Sequence, residues 1–447
     1  MRYLVFILLI LHSLSSQGQS HFNFDHAADR VSIPFRYIRN LVLVSIKING
    51  VDLTFLLDTG VKETILFGME NELISLKNPR RLKFNGLGEN DGIDAIVATQ
   101  NRLEVGAKLL DTAHTIYVVL NQEFNFSTYV GVPVNGILGS HFFKDYPVEI
   151  DYVKQRMTLY RNSSLIKNKV KKFQSFPIEL ENSRPYIETT VQLKNSPIQA
   201  KMLVDMGNSD ALLVFPSRVS GFALNEPNID EFIGRGFNGD IHGKMSRIHS
   251  LHIGKFKFST PTASFPDSSA LRSARLVPGR VGSIGSELLR RFTVIFDYPT
   301  QTLYLKKGKY YNKPFLVDMS GVDIKHDGVT WVKDWVRVNI PKETQDLNKS
   351  KPIYEAETND LQYKFVLKSS YSITNIRKGS PAEQSGLMKG DLIISINKRQ
   401  AGALTLDQIQ HMLTDDEGKM MNIVVRREGK DLRFSFRLRD PIPYQAM

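Results

Sequence analysis

Two aspartates occupy the same place in two copies of one pattern, and no other feature of the 447 residues constrains the fold as tightly. The segment NGILGSHFFKDYPVEIDYVKQRMTLY (135 to 160) has a counterpart in VGSIGSELLRRFTVIFDYPTQTLYL (281 to 305). Both contain a glycine-serine pair, an apolar turn and a hairpin carrying Asp-Tyr. Asp58 lies 81 residues before Gly139, and Asp205 lies 80 residues before Gly285. Each aspartate ends an apolar run, FLLD in one half and MLVD in the other, and each run closes an alternating strand pair. The first pair turns at Asn49-Gly50 and the second near Asn195-Ser196, both hairpin signals. The chain therefore reads as a duplicated unit.

A charge at the end of a buried strand costs several kcal/mol unless it is paired or has a task. A symmetric pairing of two lobes brings the two carboxylates face to face about a pseudo-two-fold axis. At ~4 Å and an effective dielectric near 20, two negative charges repel by about 4 kcal/mol, roughly three pKa units, so the pair is expected to hold one proton near neutral pH. The ionised member then takes a proton from a water between them, and the protonated member polarises a substrate carbonyl. The expected chemistry is general acid–base hydrolysis of a peptide bond without a covalent intermediate.

The DTG of residues 58–60, the DMG of residues 205–207 and the downstream GILG and SIGS together resemble the retropepsin-like aspartic proteases in their single-chain, two-lobed form, over roughly residues 30 to 305. The resemblance implies catalytic Asp58 and Asp205. It also implies tight turns at Gly60 and Gly207, bracing loops at Ile137-Leu138-Gly139 and Ser283-Ile284-Gly285, and flap hairpins at 84 to 98 and 234 to 248. In that family the threonines of both motifs hydrogen-bond across the lobe interface; Thr59 matches, whereas Met206 has no hydroxyl. Two readings follow, an active protease and a weakened or inactive peptide-binding scaffold that kept the fold. Val61 likewise offers its neighbouring carboxylate no hydroxyl, while Asn208 is polar. Asp151 and Asp297 are also repeated but sit at hairpin turns, where aspartate serves the turn.

A competing arrangement, His114 as base and Ser209 as nucleophile, is similar to trypsin-like serine proteases. Asp210 follows that serine where an oxyanion loop favours glycine, and the duplication is left unexplained. His114 is expected on a strand, and Asn208 and Ser209 in a turn.

From about residue 371 the chain alternates apolar strands with two short helices. Ser380 with Glu383 and Thr405 with Gln408 form capping boxes, Pro381 takes the first helical position, and Gly386 is the stop. The core GSPAEQSGLMKGDLIISIN closely resembles a PDZ domain. Such domains add an extended C-terminal peptide as a strand and hold its carboxylate with backbone N–H groups. The candidate loop is MSGVDI (319 to 324), with Ser320, Gly321 and Val322 lining the carboxylate; the alternative is a short strand in the connection. Trp331 and Trp335 are read as core or edge packing rather than a ligand platform.

The first twenty residues place Arg2 before about a dozen apolar residues and a small polar segment, the build of a secretory signal cleaved near Gly18 or Gln19. That apolar core is short for a membrane span, and no second stretch approaches the roughly 20 residues that spanning needs, so the mature chain is expected to be soluble and exported, periplasmic or secreted. No cysteine occurs, which excludes disulfides, thiolate metal sites and a cysteine nucleophile. The net charge of +12 is scattered among acids and reads as solvated surface, not a nucleic-acid patch. No metal-ligand cluster or phosphate-cradling glycine motif occurs, so no cofactor is implied.

The expected architecture is mainly β. A signal peptide (1–19) precedes a pair of acid-protease-like β-barrel lobes (20–170 and 171–312), followed by a small α+β PDZ domain (313–440) with a polar insertion at about 341–362. The expected partners are polypeptide substrates or C-terminal peptides.

Overall fold

The computed structural model describes residues 21–24, 28–67, 74–84, 93–106, 109–120, 126–194, 196–236, 239–271, 276–337 and 361–444. The expected signal segment, residues 85–92 of the expected first flap, Asn195 and nearly all of the expected polar insertion lie outside the described residues.

The fold is mainly β, and each half repeats one topology. In the first half the strands Leu41–Ile48 and Val51–Leu57 form an antiparallel hairpin. Asn49 and Gly50 both take positive φ (47° and 95°), as a two-residue type I′ turn requires. Val51–Leu57 then pairs in parallel with Gly136–Leu138, which runs antiparallel to Thr64–Leu66. In the second half Ile198–Val204 pairs in parallel with Arg280–Ile284, which runs antiparallel to Leu212–Val214. The last three residues before each aspartate are all buried because these strands lie inside their sheets with both faces covered, which removes the usual alternation.

The halves are joined by the repeated Asp-Tyr hairpins. Val148–Asp151 pairs antiparallel with Phe292–Asp297, Val148 opposite Phe296 and Asp151 opposite Thr293, so one sheet crosses from lobe to lobe. Beneath it Phe143 meets Phe296 edge-on at 5.2 Å and stacks on Tyr298 at 5.7 Å, and a single apolar core runs through both lobes. Asp151 and Asp297 do serve turns: Asp151 accepts the N–H groups of Val153 and Lys154, and Asp297 those of Thr300 and the Ser163 hydroxyl.

The C-terminal unit has its own core and a sheet ordered Val322–Arg337, Leu361–Ile376, Leu392–Ile396, Met420–Arg427, Lys430–Arg437. Its helices start and stop where the sequence indicates. Ser380 caps Pro381–Ser385 through the Glu383 N–H, and Gly386 ends the helix in the left-handed region. Thr405 and Gln408 form a complete capping box. One detail differs: the Glu383 carboxylate accepts from the Gly379 N–H rather than completing the first box. Trp331 is a correction. It is 67% exposed, on a two-stranded ribbon that runs past the core with Val329 and Leu367 also exposed, because among the described residues no second layer covers that stretch; the side chain of Trp335 lies outside the described ones.

Arg247 ties the C-terminal segment to the second lobe. Its buried guanidinium donates to the carbonyls of Ile442 (2.7 Å) and Phe315 (3.0 Å), pairs with Asp440 (3.2 Å) and stacks 3.7 Å over the Tyr444 ring. Removing one member of such a buried set typically costs about 3 kcal/mol. Arg247→Leu is expected to lower the unfolding temperature by several degrees in calorimetry, at about 3 °C per kcal/mol, and an unchanged transition would contradict this.

Candidate active site

Each aspartate is delivered by the same backbone device. The Asp58 N–H donates to the Leu138 carbonyl (3.0 Å) and the Asp205 N–H to the Ile284 carbonyl (2.9 Å), so each motif turn hangs from its bracing strand. The Ser140 N–H donates to Val61 and the Ser286 N–H to Asn208, both at 2.7 Å. Gly139 and Gly285 let these loops close: a Cβ on either would stand 2.2 Å from a backbone oxygen of its motif loop.

The two turns meet across the lobe interface. A Cβ on Gly60 would lie 2.5 Å from Asp205 Oδ1, and one on Gly207 would lie 2.2 Å from Asp58 Oδ2. Each carboxyl therefore rests on the other motif's glycine, which is why that position carries no side chain. The Gly60 N–H donates to Asp58 (2.6 Å) and the Gly207 N–H to Asp205 (3.1 Å), fixing both carboxyl planes. The two carboxyls are within hydrogen-bonding reach of each other, a contact that needs one proton because two carboxylates are acceptors only.

Burial, then the neighbouring Asp205 charge, pushes Asp58 up to about 8. Burial also raises Asp205, opposed by the Arg280 charge, the Gly207 and Asn208 N–H groups and the Ser283 hydroxyl. With its value near 8, Asp58 keeps a proton across most of the neutral range.

Thr59 makes half of the expected cross-lobe grip. Its hydroxyl donates to the Val204 carbonyl (2.6 Å) and accepts the Met206 N–H (3.0 Å). Met206 is fully buried in the shared core and fills its place by packing alone. The Ser286 hydroxyl donates to the Met206 carbonyl (3.0 Å), while Asn40 donates to the Ser209 carbonyl (3.1 Å). The sequence reading missed these supports. Ser286 was recoverable, since Ser140 holds the matching place in the repeat; Asn40 was not, because its partner is set by tertiary contact.

The serine-protease arrangement does not form. His114 lies on the strand Leu109–Val119, buried between Asp111 (2.7 Å) and Thr64 (2.7 Å) inside the first lobe. Ser209 belongs to the loop that follows Asp205 in the second lobe.

The strands Asn228–Gly236 and Gly239–Arg247 form a hairpin that begins six residues before the second expected flap (234 to 248) and contains most of it. Phe232 stacks on Tyr129 of the first lobe (5.7 Å), and Glu231 pairs with Arg377 of the C-terminal unit (3.4 Å). Burial and the neighbouring Asp323 push Glu231 up to about 8.

Ser320, Gly321 and Val322 sit where the C-terminal unit meets this hairpin. The Ser320 and Gly321 N–H groups donate to the Asp318 carboxylate, and the Val322 N–H donates to the Ser320 hydroxyl (3.1 Å). The helix Phe126–Val130 of the first lobe packs against the strand Val322–Arg337, and a Cβ on Gly131 would stand 2.6 Å from Leu406 Cβ on the helix Leu406–Leu413.

Residues 372–427 match the family model of the PDZ domain, so the chain carries a PDZ domain. The two-lobed part resembles an aspartic proteinase from Irpex lacteus, at 12% identity over 64% of this chain and 99% of that one, with a TM-score of 0.41. No curated protein matches the chain in sequence.

Two outcomes follow from this geometry. Gly207→Ala forces the dyad apart and is expected to lower any hydrolytic rate at least a hundredfold while the chain still folds. A carboxyl raised by folding contributes stability that is complete below its unfolded value, near 4, and is lost as the pH rises through about 8. Asp58→Asn removes that loss. The variant should melt close to wild type at pH 4 and several degrees above it at pH 8, and a gap that shrinks with pH would contradict the assignment.

Proposed function

We propose that the protein is an aspartic-type endopeptidase in which Asp58 and Asp205 activate a water between them. The carrying observation is the pair itself: the buried Asp58 carboxyl and the half-buried Asp205 carboxyl, within hydrogen-bonding reach across a lobe interface, each seated on the other motif's glycine. Such a pair is expensive to keep unless it works on a substrate. With the proton on one member, the ionised partner draws a proton from the water as it attacks the scissile carbonyl. The protonated partner donates to the carbonyl oxygen, and the same proton inventory returns when the amine leaves.

The PDZ domain would present polypeptide to this centre. A peptide C-terminus entering the loop at Ser320, Gly321 and Val322 would compete with Asp318 for the same N–H groups, and its strand would run beside the first-lobe helix Phe126–Val130. The N-terminal segment supports export to the periplasm or the exterior, which sequencing the N-terminus of the mature protein would test.

A second reading, a peptide-binding scaffold with a weakened dyad, draws support from Met206, which supplies no hydroxyl to the grip. Cleavage of a mixed peptide library from pH 3 to 9 separates the two. The endopeptidase reading predicts activity that fades as the pH rises through about 8, when Asp58 loses its proton, and that falls at least about a thousandfold in both Asp58→Asn and Asp205→Asn. Peptide binding without cleavage at any pH by the folded wild type would sustain the scaffold reading. A large gain in Met206→Thr would show that the missing hydroxyl limits the rate.

A further inference from the structure

The two halves share their backbone but not their electrostatics. Counting back from the paired glycines Gly139 and Gly285, Ser283 takes the place of Ile137. The strand registers place Ile137 opposite Leu56 and Ser283 opposite Leu203, each two residues before its aspartate, and Arg280, past a bulge, opposite Lys201, four before Asp205, where Asn135 meets Thr54 in the first half. Behind Asp58 these places hold the buried Ile137 and the neutral amide of Asn135. Behind Asp205 they hold a cation and a hydroxyl.

Arg280 is 4% exposed. Its guanidinium donates to the Ser283 hydroxyl (2.7 Å) and the Gly282 carbonyl (3.2 Å) and lies 5.1 Å from the centre of the Phe215 ring. The Ser283 hydroxyl and the Arg280 charge both favour the ionised form of the Asp205 carboxyl. A buried guanidinium costs several kcal/mol unless a negative charge answers it, and among the described residues Asp205 is the carboxylate whose charge reaches it. The other groups around the pair are Tyr186 and Arg184, on the strand Arg184–Gln192, which act on Arg280; Asp58 from the opposing lobe; and Tyr298, which feels Asp58. None of these offers Arg280 a second carboxylate.

We propose that Arg280, acting through Ser283, is a positioning residue that holds Asp205 as the ionised member of the pair, giving Asp205 the role of base and Asp58 the role of acid. The assembly of Arg280, ionised Asp205 and protonated Asp58 is neutral overall, the least costly charge state for a buried site. Arg280 touches no substrate, and its effect reaches the water only through which oxygen is free to accept a proton. The inference rests on the endopeptidase reading for its consequence in catalysis, but the charge assignment stands apart from it.

The test is the pH dependence of kcat/KM for Arg280→Met, Arg280→Lys and Ser283→Ala, beside ¹³C-carboxyl aspartate NMR of the same proteins, with the Asp205 resonance assigned by its loss in Asp205→Asn. Without the cation, Asp205 is harder to ionise, so in Arg280→Met the acid limb of the profile and the Asp205 titration should both move up by about one pH unit or more. Ser283→Ala should move them the same way by less, and Arg280→Lys should restore the wild-type position. A rate loss in Arg280→Met with both midpoints unmoved would overturn the proposal and leave Arg280 a packing residue. If no variant or wild type cleaves peptide, the NMR titration alone decides. A shifted Asp205 then upholds the charge assignment while the endopeptidase reading fails, and an unshifted one overturns both.

Discussion

The structure depends on two carboxyl groups brought within hydrogen-bonding reach in a place with little water. Everything that delivers them is duplicated: the parallel strand before each aspartate, the apolar-glycine loop behind it, and the glycine that gives the opposite carboxyl room. The shared sheet formed by the two Asp-Tyr hairpins fixes the distance between the halves. If the lobes shifted by an ångström, the carboxyls would either clash or separate, and the single shared proton would no longer bridge them.

Symmetry of the backbone does not carry over to the chemistry. Thr59 spans the interface by giving and accepting a hydrogen bond, whereas Met206 at the matching position only fills space. Arg280 and Ser283 stand behind one aspartate, and Asn135 and Ile137 behind the other. A symmetric pair must break its symmetry each time it binds a proton. This one has the preference built into its walls, at the expense of half the cross-lobe grip.

How far the sequence was legible follows from how local each feature is. Asp58, Asp205, Gly60 and Gly207 were readable because the duplication repeats them at matched spacing, and the PDZ caps because helix starts and stops are decided within four residues. Arg280 was hidden, since an arginine far along the chain reads as surface until the fold buries it behind Asp205. Its only trace was a mismatch in the repeat. Trp331 misled for the opposite reason: aromatic residues in an alternating strand imply a covering layer, and here the ribbon outruns its core. The contacts of the first-lobe helix and the 228–247 hairpin with the C-terminal unit join segments distant in the chain, and no short pattern encodes them.

The central claim is that one proton resides on this pair and that Asp58 carries it. Difference infrared spectroscopy between wild type and Asp58→Asn reads that state without any substrate. The account predicts a protonated-carboxyl C=O band in wild type at pH 6.5 that is missing from the variant and fades as the pH rises through about 8. A spectrum with no such band at pH 6.5, or a band that survives in Asp58→Asn, would contradict it.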